Sequence, residues 1–241
     1  MLSNVVVEMM SGEFILWRCL HGGPLTKDTV DQPKPHPHLP WDQLQARNRP
    51  LLARLTEVYG SCAVIARDGN RIVGQLRFYP RAICDMAESG PAFCMQQRFP
   101  GGPADDFVKK EFPPLDQIAD KTLFVHCLMT GSPEQKENPY QRKGLGSRMV
   151  RTLIAWARQR GWNAIETHAY VDLPCWYAAT GQAGRAFWEK LGFHVIESGI
   201  EPAFAEGGHK GFVETLLKEA ADRGIGADAA KTRYTMQLNL G

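Results

Sequence analysis

The residues best suited to chemistry in this 241-residue chain are gathered between Asn138 and Val150, in the run Asn-Pro-Tyr-Gln-Arg-Lys-Gly-Leu-Gly-Ser-Arg-Met-Val. The β-prone stretch Thr122 to Met129 precedes it across a polar loop, and the apolar-periodic stretch Leu145 to Trp156 follows directly. A glycine-containing loop that opens a helix offers unpaired backbone N–H groups and the positive end of a helix dipole. Gly144 and Gly146 put no Cβ in the way of a close approach. That is a site for a phosphate or pyrophosphate. Two commoner phosphate loops are excluded, because the run contains neither Gly-x-x-x-x-Gly-Lys-Ser/Thr nor Gly-x-Gly-x-x-Gly opening a βαβ unit.

What remains, Gln141-Arg-Lys-Gly-Leu-Gly146, resembles the acyl-CoA pyrophosphate loop of the GNAT superfamily of N-acetyltransferases, whose pattern is Gln/Arg-x-x-Gly-x-Gly/Ala. A second stretch, Ala186-Phe-Trp-Glu-Lys-Leu-Gly-Phe193 followed by His194-Val-Ile-Glu, resembles the last helix and following strand of the same superfamily. The two occur in the expected order and spacing.

The resemblance covers chiefly residues 121–196, and it implies how a donor would sit. Leu123 to Thr130 becomes the fourth strand and Asn163 to Val171 the fifth, splayed apart to leave a slot for acyl-CoA. The pantetheine amides would pair with the open strand edge at Leu128, Met129 and Thr130, where a backbone N–H can also hold the thioester carbonyl. The pyrophosphate would lie on the amides of Gln141, Arg142, Lys143, Gly144, Leu145, Gly146 and Ser147. Arg142 would add a planar fork and Lys143 a mobile charge. Read without the resemblance, Arg142 and Lys143 are solvated loop charges and Ser147 is a helix-capping residue.

The pattern departs at two positions. Trp188, which the resemblance counts among the donor-binding residues, stands where the superfamily often has a tyrosine that protonates the departing thiolate, and Gly181 stands where it commonly has an asparagine. Tyr177, Tyr170, Cys175 and His168 are candidates for the vacant acid role, Tyr177 first. An attacking amine must lose a proton near neutral pH, and His126 and His168 have suitable intrinsic basicity. Each also reads as a structural strand histidine. Because CoA thiolate leaves readily, positioning alone can supply much of the acceleration.

The rest of the chain must position these residues. Asn4 to Met10 and Glu13 to Cys19 read as strands split by a Ser11-Gly12 turn. Gly22 to Pro40, with five prolines and His36-Pro-His38, reads as a loop without regular elements, its histidines lacking a ligand pattern. Trp41 to Tyr59 is helical, with Pro50 splitting or kinking it. Cys62 to Ala66 and Arg71 to Tyr79 form a hairpin about Arg67-Asp-Gly-Asn. Residues 82–120 form an insert whose aromatic content points to a packed lid or dimer contact. Phe212, Leu216, Leu217 and Ala220 mark an extra helix in a second insert, 201–231, that covers the acceptor side, and Thr232 to Leu240 closes the fold. The expectation is one α/β domain over 1–241. Its mixed, mostly antiparallel sheet has splayed central strands flanked by helices, with inserts after strands 3, 5 and 6.

Composition sets the outer bounds. A hydrophobic content of 44% supports a sizeable core, and a net charge of +2, from 28 basic and 26 acidic residues, supplies no global field for nucleic acid or an anionic membrane. Six cysteines without a Cys-x-x-Cys pair read as buried thiols in a reducing compartment, not as a metal site or disulfide frame. No stretch reads as a membrane span or secretion signal, so the expected location is the cytoplasm. Taken with the resemblance, the chain is expected to transfer an acetyl or other short acyl group from acetyl-CoA or a related acyl-CoA to a small-molecule amine. It would do so without a metal and with a homodimer as the commonest assembly. An acyl-CoA-binding sensor module and a protein N-acetyltransferase are the alternatives.

Overall fold

A computed structural model describes residues 2, 4–20, 25–32, 41–86, 110–131, 138–205 and 209–241. In chain order its elements are β1 (Val5–Met9), β2 (Leu25–Thr26), α1 (Trp41–Tyr59), β3 (Ala63–Asp68), β4 (Arg71–Pro80), α2 (Arg81–Met86), β5 (Thr122–Thr130), α3 (Leu145–Gln159), β6 (Ala164–Ala169), α4 (Pro174–Thr180), α5 (Arg185–Glu189), β7 (His194–Ile200), α6 (Pro202–Ala205), α7 (Lys210–Asp222), α8 (Ala227–Lys231) and β8 (Thr232–Asn239). A 3-10 turn spans Leu115–Gln117.

The strands form one open sheet in the order β1-β3-β4-β5-β6-β8-β7, with β2 on the start of β4. Among the described residues β5 and β6 alone run parallel; the other pairs are antiparallel. This is the mixed, mostly antiparallel architecture that the sequence implied. α3 covers one face: Leu145, Met149, Val150, Leu153 and Ala157 recur at helical spacing and are all buried. Met149 presses on Gly74, where an added Cβ would meet its sulfur at 3.0 Å, and Trp156 packs on Phe78 with ring centroids 5.3 Å apart.

The other face is covered near the N-terminus by residues 10–20. The expected strand from Glu13 to Cys19 is not there. Leu16, Trp17, Cys19 and Leu20 are buried in irregular backbone whose carbonyls are satisfied by side chains: Arg77 donates to Leu16 O and Asn48 to Trp17 O. The loop expected from Gly22 to Pro40 contains one short regular pairing, Leu25↔Ile72 and Thr26↔Arg71; His36 and His38 lie outside the described residues. Pro50 does not divide α1, which runs through it for 19 residues. Buried Leu44, Leu51, Leu52 and Leu55 hold both halves against the core, which outweighs the loss of one backbone donor.

The two inserts differ. Of the first, residues 87–109 lie outside the described part. Its end packs on α1, with Phe112 buried under the Arg54 guanidinium at 5.0 Å and Tyr59 Oη donating to Pro113 O at 2.7 Å. The second insert carries α6, α7 and α8. Its buried residues join those of α4 in a separate apolar cluster of Tyr170, Leu173, Trp176, Leu216, Ala220 and Ala230. Burial pushes the Cys62 thiol up to about 11 and raises that of Cys84 further, so both remain protonated, in keeping with buried thiols. Cys94 is outside the described residues.

Candidate active site

The slot is made by a bulge and a divergence at the same place. Along β4 and β5 the pairing passes from Arg77↔Cys127 directly to Phe78↔Val125, leaving His126 as the extra residue. A bulge bends its strand and increases local twist. On the other side β5 pairs with β6 from Thr122↔Ala164 to Val125↔Thr167 and no farther, so the strands part at His126 and the edge at Leu128, Met129 and Thr130 runs on without β6.

The glycine loop meets that edge. Gly144 caps α3 in the left-handed region at φ +84, a conformation open to glycine at little cost. The first i→i−4 bond runs from Arg148 N–H to Gly144 O at 3.0 Å, so the amides of Leu145, Gly146 and Ser147 are those a helix leaves without an internal partner. A Cβ added at Gly146 would lie 3.5 Å from Phe187 and 3.6 Å from Leu128, so the helix start is seated on the slot. Arg142, itself at φ +54, and Lys143 are exposed, Gln141 and Ser147 half-buried, and Leu145 is core. Asn138 pins the loop: its Nδ2 donates to Thr130 O at 2.6 Å and its Oδ1 accepts Tyr140 N–H at 3.0 Å. Tyr140 Oη then donates to Asp68 at 2.8 Å. These residues fit a pyrophosphate: contiguous donors, two exposed cations and no Cβ at 144 or 146.

The β5 edge is not open as expected. Gln182 Nε2 donates to His126 O, Leu128 N–H donates to Gly181 O at 2.8 Å, and Thr130 N–H donates to Tyr177 Oη at 3.1 Å. The reason lies in the chain after β6. Residues 171–184 turn back as α4 and a loop along the divergence, supplying partners that β6 no longer provides and that buried backbone groups require. Gln182 is 8% exposed and also accepts from Thr167 Oγ1 at 3.4 Å, while the same hydroxyl reaches Val125 O at 3.2 Å. Gln182 and Thr167 escaped the sequence reading, which includes Asn138 in the loop but gives it no role of its own. A glutamine beside the departing Gly181 was the available signal.

The candidate acid and bases fall in two groups. Tyr177 reaches the slot edge, half-buried, through the bond to Thr130. His126 and His168 share the opposite side of the sheet from α3, His168 edge-on to Phe124 at 4.9 Å and His126 near Tyr79 at 6.1 Å. Burial drives the His168 pKa down to about 3, helped by Arg233, Arg81 and His126. A neutral imidazole that weakly basic is a poor proton acceptor at neutral pH. Its neighbour Glu166 accepts from Arg81 Nη1 at 2.8 Å and from Gln237 Nε2 at 2.9 Å, so both carboxylate oxygens are engaged. Tyr170 Oη donates to Glu201 at 2.8 Å, and burial raises its pKa. Burial, with Glu219, pushes Cys175 up to about 12. Neither is placed as an acid. Trp188 does not face the slot: it is fully buried, packs edge-on against Phe187 and Phe193 at 5.2 and 5.0 Å, and donates its indole N–H to Ala183 O at 3.2 Å.

Among the described residues no group of three or more His, Cys, Asp or Glu is arranged to hold a metal ion, and no helix is long and apolar enough to cross a membrane.

Known proteins bear on this geometry as follows. No curated protein matches the chain in sequence. Solved structures that resemble it include an acetyltransferase of the GNAT family from Streptococcus pneumoniae, at 13% identity and TM-score 0.47, covering 98% of this chain and 99% of that one. Ard1 from Thermoplasma volcanium gives 10% identity and TM-score 0.45, with 99% of each chain covered. An agmatine N-acetyltransferase gives 15% and 0.44, with 99% of this chain and 100% of that one covered. Residues 137–193, which carry the glycine loop, α3, β6, α4 and α5, match the model for the acetyltransferase (GNAT) family.

Proposed function

We propose that the protein is an acyl-CoA-dependent N-acyltransferase that moves an acetyl or other short acyl group to the amine of a small molecule within a ternary complex. The observation that carries this reading is the coincidence of the His126 bulge, the end of β5–β6 pairing at Val125↔Thr167 and the α3 N-terminus seated on Leu128. Together they form one groove with anion-binding donors at its mouth, and of its parts the α3 N-terminus and β6 lie in the segment that matches the family.

In this reading Gln141 to Ser147 bind the donor's pyrophosphate, with Arg142 and Lys143 adding charge, and the edge at Leu128 to Thr130 takes the pantetheine arm. A neutral amine attacks the thioester carbonyl; the C–N bond forms, the C–S bond breaks, and CoA leaves as thiolate. A backbone N–H on the β5 edge, once it gives up its present partner, stabilises the oxyanion. The amine proton passes to His126 or solvent, and the Tyr177 hydroxyl is the group nearest the slot edge that can protonate the thiolate. A small acceptor is favoured over a protein by the second insert, whose helices pack on α4 beside the groove.

The test pairs binding with turnover. Acetyl-CoA is expected to raise the melting temperature and protect residues 141–147 in hydrogen exchange, and a panel of small amines to release free CoA. Binding without CoA release from any amine or peptide would favour an acyl-CoA sensor, a reading that the occupied β5 edge also supports. Absence of binding would reject the proposal.

A further inference from the structure

The α4 helix is held unequally on its two sides. Toward the second insert, Trp176 stacks on Tyr170 with centroids 3.7 Å apart and planes 10° from parallel. It meets Phe212 edge-on at 5.1 Å and Phe204 at 5.5 Å, and donates its indole N–H to Ala230 O at 2.9 Å. Cys175 N–H donates to Glu219 at 3.1 Å. Toward the groove, the next residue, Tyr177, reaches β5 by its hydroxyl to Thr130 N–H at 3.1 Å. One side of the helix is clamped in an aromatic cluster; another presents a half-buried phenol whose bond to the strand can be released by side-chain rotation alone.

The Tyr177 oxygen accepts from Thr130 N–H, a backbone donor on the edge that the proposed function gives to the pantetheine arm. An amide or thioester oxygen of the donor would need the same hydrogen. Two acceptors cannot share one N–H at full strength, and leaving the N–H unpaired in the partly buried groove is costly. We propose that Tyr177 is a placeholder for the acyl donor. In the ligand-free protein its hydroxyl satisfies Thr130, and acyl-CoA binding exchanges it for a donor oxygen, freeing the hydroxyl to turn its proton toward the groove. The exchange couples donor binding to the arming of the acid, with Trp176 as the positioning residue that keeps the phenol within reach in both states. This inference rests on acyl-CoA occupying the β5 edge.

Removing the placeholder removes a competitor. Tyr177→Phe is expected to bind CoA about threefold to tenfold more tightly by calorimetry, the factor that one net hydrogen bond represents, while kcat falls. In the wild type, CoA is expected to shift the Thr130 amide resonance, and the free Tyr177→Phe protein to show that resonance displaced before CoA is added. Unchanged or weaker CoA binding by Tyr177→Phe, or a Thr130 amide indifferent to CoA while residues 141–147 become protected, would overturn the placeholder and leave the donor site standing. A wild type that neither binds CoA nor protects residues 141–147 would overturn both.

Discussion

The side-chain amide of Gln182 donates to the carbonyl of His126 at the residue where β5 and β6 part. The bond fills the place of a strand partner with a side chain, and the adjoining Gly181 carbonyl does the same for Leu128 at 2.8 Å. Residues 181–182 therefore act as a wedge that lets the sheet divide without leaving buried backbone groups unpaired.

The wedge makes Gln182→Leu informative. The leucine fills similar volume but leaves His126 O short of a partner, which costs about 1–3 kcal/mol, while the Thr167 hydroxyl keeps Val125 O at 3.2 Å. A lower melting temperature is expected, together with a raised KM for acetyl-CoA and a smaller change in kcat. An unaltered melting temperature would show that water replaces the amide at no cost.

The two loop glycines separate folding from binding. Gly144 sits at φ +84 with open space around it, so Gly144→Ala is strained by roughly 1 kcal/mol wherever the site is empty or full. Gly146 has ordinary helical geometry, and a Cβ there makes contacts no closer than 3.5 Å. Gly146→Ala is thus expected to keep its melting temperature while raising the KM for acetyl-CoA tenfold or so, about 1.4 kcal/mol, because the methyl group enters the groove between α3 and β5. An unchanged KM would move the pyrophosphate away from this helix start.

Acidity acts through His168. Its folded pKa of about 3 lies below the ordinary 6.5, so below 6.5 the unfolded chain binds a proton that the folded protein refuses. The stability this histidine allows is complete above pH 6.5 and declines as pH falls toward 3, by at most about 1.4 kcal/mol per pH unit. His168→Gln is expected to flatten that part of the melting-temperature profile. Activity measured where the protein is folded should show no inflection from His168 near pH 6.5; such an inflection, abolished in His168→Gln, would restore it as a base.

The loop and the strands that flank it were legible because they obey local rules. Gly144 needs a positive φ, α3 has an apolar stripe, and β5 has strand chemistry. The departures were legible too, since Trp188 is too apolar to serve as an acid and proves to be core. Tertiary partnerships could not be read. Glu13 to Cys19 has strand composition, but its backbone is satisfied by Arg77 and Asn48, which are distant in sequence. His168 has a strand position that says nothing of its burial or of Arg81 and Arg233 beside it. The closure of the β5 edge by Tyr177 and Gly181 depends on where a seven-residue helix docks, and that is decided by the aromatic cluster of the second insert.

That cluster supplies the sharpest test of how insert and slot communicate. Trp176→Ala removes a buried indole that stacks on Tyr170, and truncations of this kind cost about 3–5 kcal/mol in a well-packed core. The cost here should be smaller, because the cluster is separate from the main core, and the sheet should survive. If Trp176 acts on turnover only by aiming Tyr177, then Trp176→Ala and Tyr177→Phe must be strongly non-additive: once the hydroxyl is gone, loosening its helix has nothing further to remove from kcat. Measured on kcat, the double variant is expected to match Tyr177→Phe alone. Measured on thermal stability, the two substitutions should come closer to adding, since the Trp176 contacts lie in the insert and the Tyr177 bond lies on β5. Additive losses in kcat would mean that the insert reaches the reaction by a route other than Tyr177.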